Sequence, residues 1–290
     1  MTLASKANQS GAAMCRFARS ALRCGRAASQ YRRCVASLAT DPGGEAAAQR
    51  RRLLQSCSQG ERRWLDRYLD RLLDAQFNLT AIKSREEAIE RHVEDSLALL
   101  PAVERCAQQA SSSSSSLGAP GEGGKVKLID VGSGAGMPGL VLALKHDNWD
   151  VTLLDSLRKR CDFLSVASED LDNVSVRWGR AEDVGRDEAH RGRHHVATAR
   201  AVAEMRVLAE LCLPLVSVGG FLVAAKGPEP DQEVEAAMPA LEKLNAELVG
   251  IEPVQSFGDH GQRTVVIVRK RGETPKRYPR QAGTPKRKPL

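Results

Sequence analysis

No run of roughly 18 or more apolar residues occurs anywhere in this chain of 290 residues, so no segment has the length and hydropathy of a membrane-spanning helix. Seven cysteines are present, but none pair with C-x-x-C spacing. Cys57, Cys106, Cys161 and Cys212 are scattered and read as reduced structural thiols, neither zinc ligands nor a disulfide framework. Acid is missing from residues 1–40, which carry seven basic groups and no continuous apolar stretch. An Arg-, Ala- and Ser-rich segment without acid or apolar core has the composition of an organellar transit peptide, not of a secretory signal. A basic RNA-binding arm is the competing reading.

The net charge of +7 is unevenly distributed. From Arg269 to Leu290 there are nine basic residues and one acid, Glu273, which leaves residues 41–268 with a net charge of −8. An acidic body would repel RNA, so any RNA contact requires a local basic surface. The composition divides the chain into a leader (1–40), a helical segment (45–106), a Ser/Gly-rich linker (107–124), an α/β domain (125–270) and a basic tail (271–290).

Residues 126–155, VKLIDVGSGAGMPGLVLALKHDNWDVTLLD, carry the chemistry. An apolar run is followed by a glycine-rich turn, an apolar helical segment and a second apolar run ending in Asp155. Gly132, Gly134 and Gly136 allow a sharp bend and a close backbone approach to a ligand. Asp155, at the end of the second strand, is placed to accept hydrogen bonds from a ribose. Gly134 to Gly139 satisfies G-x-G-x-x-G, which would put a dinucleotide pyrophosphate at a helix N-terminus. Asp130, Gly132, Gly134 and Gly136 also fit (D/E)-x-G-x-G-x-G, the first loop of S-adenosylmethionine-dependent class I methyltransferases. An acid ahead of the loop repels a pyrophosphate and suits the cationic end of the methyl donor, so the second reading is preferred. Pro138 falls where a helix would begin.

Helical periodicity covers about 45–77 and 84–100, with a capping pattern at Ser84 and Glu87 and Pro101 closing the second helix. Beyond the linker, strands are predicted at 126–131, 150–154, 174–178, 195–199 and 220–225, and helices at 139–146, 158–170, 204–216 and 231–247. This alternation gives a parallel sheet covered on both faces. Residues 248–256 and 263–269 are expected to pair as a terminal antiparallel hairpin. The result is a Rossmann-like seven-stranded sheet with the last strand antiparallel, the class I methyltransferase α/β fold, behind an N-terminal helical prelude. Right-handed crossovers bring Gly132, Asp155, Ala181, Glu182 and Arg200 to one edge, where they should line one crevice.

The chain resembles the ribosomal RNA small subunit methyltransferase G family, also called glucose-inhibited division protein B. The matching text is FNLTAI (77–82), RHVEDSLALLP (91–101), LIDVGSGAGMPG (128–139), VTLLDSLRKR (151–160), GRAED (179–183), VATARAVA (196–203), LCLPLV (211–216), AAKG (224–227) and the tail 274–290. The likeness extends from about Trp64 to the C-terminus and implies methyl transfer from S-adenosylmethionine to a guanine N7 of small-subunit ribosomal RNA. It implies cofactor contacts at Gly132, Met137, Asp155, Ser156, Leu157, Ala181, Glu182 and Arg200. Met137 stands where the family usually has Phe or Leu, and the insert GRDEAHRGRHH (185–195) is unusual.

Guanine N7 bears a lone pair and no proton, so its attack on a sulfonium methyl needs no general base, only alignment. The (N/D)-P-P-(Y/F/W) signature of amine methyltransferases is missing after the fourth strand, and Cys212 lies in an apolar helical segment rather than in a nucleophile's setting. Arg200 is the candidate catalytic residue, positioning the acceptor, with a structural ion pair to Glu204 or Asp183 as the alternative. Lys226 is read as a phosphate contact. His92, Asp95, Ser96 and Asn78 form a candidate polar brace. In the tail, Lys276, Arg277, Arg280, Lys286, Arg287 and Lys288 alternate with prolines that hold the chain extended along RNA phosphates. No metal site is expected. The expected partner is small-subunit ribosomal RNA or an assembling small subunit, and the expected state a monomer. Plastid location is read from the tail's likeness to plastid members, with the mitochondrion as alternative. A nicotinamide-type oxidoreductase and a noncatalytic ribosome-assembly factor are the competing functions.

Overall fold

The computed structural model describes residues 55–75, 79, 82, 84–113, 124–258 and 261–290. The leader, residues 114–123 of the linker and Asn78 of the polar brace lie outside them, as does most of FNLTAI.

Helix α1 (Gln59–Leu73) starts at Ser58, whose side chain accepts from the Glu61 N–H while the Glu61 side chain returns to the Ser58 N–H. This reciprocal pair satisfies two donors that a helix start leaves free. Trp64, Leu65, Tyr68, Leu69 and Leu72 form its buried stripe. Ser84 caps α2 (Arg85–Ala88), which continues through a π-helical turn (Ile89–Glu94) into α3 (Asp95–Leu97). Two expectations change here. Pro101 lies in the first turn of α4 (Leu100–Ser113) rather than closing the helix before it. A proline there loses nothing, because the first N–H groups of a helix have no intrahelical partner. The expected linker is also helical as far as Ser113, because Ala107 and Ala110 complete an apolar stripe with Val103 and Cys106. Small residues inside a serine-rich text hide that stripe.

The sheet contains β1 (Val126–Val131), β2 (Trp149–Asp155), β3 (Val174–Trp178), β4 (His194–Arg200), β5 (Val216–Lys226), β6 (Ala246–Gly258) and β7 (Gly261–Lys270). Its order is β3-β2-β1-β4-β5-β7-β6, with β7 antiparallel to both β5 and β6. This is the expected seven-stranded class I topology. Alternate side chains face opposite layers. Leu128, Leu153, Val196, Val223 and Ile267 join α1, α4 and α5 (Gly139–Lys145) on one side. Ile129, Leu154, Ala197, Leu222 and Val266 face the other side, where α8 and α9 (Met205–Cys212 and Asp231–Lys243) pack. Each fully buried leucine contributes about 1.5–3 kcal/mol. Helices α6 (Arg158–Ala167), α7 (Ala181–Val184) and α10 (Thr284–Arg287) complete the chain. The described residues all fall in one compact unit. Among the described residues no helix is long and apolar enough to cross a membrane, and Cys57, Cys106, Cys161 and Cys212 are free and buried.

Candidate active site

Register aligns the carboxyl ends of the parallel strands, with Asp155 beside Trp178 and Arg200 beside Ala225. Two cavities open along this edge. The larger, about 570 Å³, is lined by Gly132, Asp155, Ser156, Ala181, Glu182 and Arg160 among others. The smaller, about 150 Å³, is lined by Asp95, Arg200, Lys226, Arg263 and Thr264 among others. Ala201, Val202 and Ala203 line both and form the wall between them. Ala201 holds a positive φ of 54°, a conformation rare for a residue with a Cβ and typical of sites that constrain the backbone.

The glycine loop is bound by its own neighbours. The Gly132 backbone has φ +72°, and a Cβ there would stand 2.8 Å from Val202 Cγ2. A side chain at 132 would therefore both strain the turn and push into the dividing wall. Gly134 N–H donates to Asp155 Oδ2 at 3.0 Å, Leu157 N–H to Oδ1 at 2.9 Å, and Arg160 Nη1 lies 3.4 Å from Oδ2. Asp155 thus ties the loop to the second strand as well as facing the crevice. Tyr68, which sequence reasoning did not single out from the helical periodicity, donates its hydroxyl to Ala135 O at 2.8 Å and anchors the loop to α1. An aromatic carrying a hydroxyl inside an otherwise apolar stripe was the available signal.

Asp130 does not reach the crevice. It is fully buried, taking Gly139 N–H on Oδ2 at 3.1 Å and the Thr198 hydroxyl on Oδ1 at 3.1 Å. Burial pushes its carboxyl up to about 6, and these hydrogen bonds oppose the rise. The expected direct contact with a cationic ligand is replaced by a brace across the loop. The brace has a consequence for the dinucleotide reading: a protein carboxylate already occupies the start of α5, where a pyrophosphate would sit.

The candidate cofactor residues separate by position. Gly132, Asp155, Ser156, Ala181 and Glu182 share the larger cavity. Met137 is in the core at 3% exposure, and a Cβ on Gly136 would meet Leu140 and Leu164, so both pack the loop from below. Gly134 contributes its N–H to Asp155, while Leu157 stands on the rim, 53% exposed. Arg200 belongs to the smaller cavity, which corrects the single-crevice expectation. Its guanidinium donates to Arg91 O at 3.0 Å and to His92 Nδ1 at 3.1 Å, with Asp95 Oδ2 4.0 Å away. It pairs with neither Glu204 nor Asp183. The buried Asp95 also holds Arg263 Nε at 2.8 Å and accepts from Ser256. Ser96 turns its hydroxyl back to His92 O. Lys226 donates to Ala203 O at 2.8 Å and pairs with Glu233, so it fixes the dividing wall from beneath.

Burial, followed by the Arg200 and Arg91 charges, pushes His92 down to about 4, and burial does the same for His194. A neutral His92 can accept from Arg200. The unfolded chain protonates these histidines near pH 6.5 but the folded protein only near pH 4, so stability is lost as pH falls across that window. Asp130, raised to about 6, works in the opposite sense and offsets part of the loss. His92→Asn retains an acceptor for Arg200 without the titration. Thermal midpoints at pH 7.5, 5.5 and 4.5 are expected to fall less in this variant than in the parent protein.

The tail is folded rather than extended. Arg191, from the unusual insert, donates to the carbonyls of Gly185, Tyr278, Thr274 and Pro275, and Arg186 to that of Pro279. Tyr278 is buried. Arg280 is bound to both carboxylate oxygens of the fully buried Glu210. The tail then crosses to the larger cavity, where Gly283 N–H donates to Glu182 Oε1 at 2.8 Å and Gly283, Pro285 and Lys286 join the lining. Arg280 is therefore a folding contact; Lys276, Arg277, Arg287 and Lys288 remain on the outer surface of this segment.

Residues 61–256 match the model of one protein family, GidB, rRNA small subunit methyltransferase G. The chain belongs to this family. It is 42% identical over 222 residues to ribosomal RNA small subunit methyltransferase G of Symbiobacterium thermophilum, covering 74% of this chain and 83% of that one. Identity to the Lactobacillus delbrueckii subsp. bulgaricus relative of the same description is 44% over 216 residues, 73% and 84% of the two chains. For the Streptococcus pyogenes serotype M12 relative it is 38% over 239 residues, 81% and 94%. The cofactor of such an enzyme is S-adenosylmethionine. The larger cavity fits it, since it has the volume of a small-molecule site, a glycine whose Cβ the wall would not admit, and carboxylates from Asp155 and Glu182 at its edge. Among the described residues no group of three or more His, Cys, Asp or Glu could hold a metal.

Proposed function

We propose that this protein methylates guanine N7 in small-subunit ribosomal RNA, using the larger cavity for S-adenosylmethionine and the smaller for the acceptor. The observation that carries the reading is the pair of cavities sharing the wall Ala201–Ala203. Gly132, Asp155, Ser156, Ala181 and Glu182 would hold the cofactor, which supplies an electrophilic sulfonium methyl when bound. The chain's own task is alignment. N7 attack releases no proton, and the smaller cavity is consistent with that: Asp95, the one carboxylate among its described lining residues, is committed to Arg263 and Ser256. Arg200, held by Arg91 and His92, presents a planar cation for a base or phosphate. The relatives' names supply the RNA, and the guanine and its N7 position rest on the resemblance and on this absence of a free base.

The acid-free leader supports action in an organelle, a plastid or alternatively a mitochondrion. The experiment is to map N7-methylguanine in organellar small-subunit rRNA with and without this protein. One modified guanine should disappear when the protein is removed and return with it. An unchanged map, with the purified protein binding cofactor, contradicts the substrate.

A further inference from the structure

We propose that Trp178 is a stacking platform for an unpaired base of the RNA substrate, set beside the mouth of the donor crevice. The proposal rests on the reading that the substrate is RNA, and adds where a second nucleotide is gripped.

Trp178 ends the edge strand β3 and is 55% exposed, whereas the chain's other tryptophans, Trp64 and Trp149, are buried. Its Nε1–H donates to Ser156 O at 3.2 Å, which fixes the ring by its polar edge and leaves the rest outside. Arg158 covers the ring with its guanidinium carbon 5.1 Å from the centroid, and the Arg158 side chain is itself 66% exposed. A tryptophan pinned in place yet largely unburied forgoes most of the area that makes this residue type stabilising. A flat partner would recover that area.

The surroundings identify the partner by charge. Arg158, Lys159 and Arg160 follow the end of the neighbouring strand β2, and Arg177 and Arg180 flank Trp178 in sequence. Arg158 pairs with Asp162 and Arg177 with Asp187 across exposed surface, where such pairs are weak and exchange readily for phosphate. An aromatic ring among arginines matches the way single-stranded RNA is held, with bases stacked on aromatic or guanidinium planes and phosphates met by cations. The cofactor's adenine is not the partner, because the crevice is lined by Ser156, Gly179 and Arg180 but not by Trp178.

The test uses the full chain with a short single-stranded RNA and with small-subunit rRNA. Since Trp64 and Trp149 are buried, quenching of the protein's emission by single-stranded RNA reports on Trp178. Trp178→Ala should weaken RNA binding roughly 5- to 150-fold, the value of one stacked base, and raise KM for rRNA more than it lowers kcat. Trp178→Phe should recover most of both, and affinity for S-adenosylhomocysteine should stay within about twofold. Unchanged RNA affinity in Trp178→Ala, or lost cofactor affinity with RNA binding intact, overturns the proposal and reduces Trp178 to a support for Ser156. Absence of quenching in the parent protein while it methylates rRNA overturns this proposal alone. Failure of the parent protein to methylate rRNA removes the functional reading beneath it.

Discussion

Asp155→Ala is expected to lower affinity for S-adenosylhomocysteine by roughly 100- to 1,000-fold, measured by titration calorimetry. The figure corresponds to about 2.7–4.1 kcal/mol, at the lower end of what two hydrogen bonds to a charged acceptor contribute at about 1.5–3 kcal/mol each. Two effects add. The carboxylate faces the larger cavity, and it also receives Gly134 N–H and Leu157 N–H, so its removal frees the loop that shapes the site. Asp155→Asn separates them: it keeps the side chain's shape and one acceptor oxygen, so it should fall between the parent and the alanine variant. If both variants bind as tightly as the parent, the crevice does not hold the nucleoside by this residue.

The second large effect concerns stability. Arg280→Ala should destabilise the protein by about 3–5 kcal/mol, because it strips the charge partner from a buried carboxylate. Glu210 is fully buried and accepts both the Arg280 guanidinium and the Arg280 main-chain N–H. Alanine keeps only the main-chain bond. The double variant Glu210→Gln/Arg280→Ala, with no buried charge left over, should recover part of the loss in chemical denaturation. A conventional reading of Arg280 as an RNA contact predicts the reverse, with normal stability and weakened RNA binding.

That contrast shows where sequence reading succeeds and where it stops. The sheet was legible because both periodicity and chain order report on it. Leu128 and Ile129 face opposite layers, the apolar runs are separated by helical spacing, and Gly258 to Gly261 marks the last hairpin. Asp155 was legible because a strand must end there. The partners of charged side chains were not legible, because they come from distant segments. Arg200 meets Arg91 and His92, more than a hundred positions earlier, and so leaves the cofactor cavity for its neighbour. Arg191 and the tail are similarly remote in sequence, and a basic segment read as extended is folded by hydrogen bonds to its carbonyls. Asp130 was read from its place in the glycine motif and its charge, yet it lies on a central strand covered on both faces, and its partners Gly139 and Thr198 come from other segments.

The most direct measurement is a crystal structure of the protein soaked with S-adenosylhomocysteine. The nucleoside is expected in the larger cavity, its ribose on Asp155 and its sulfur turned to the Ala201–Ala203 wall, with Arg200 beyond. A ligand bound elsewhere, or a larger cavity that stays empty at saturating concentration, would contradict this placement.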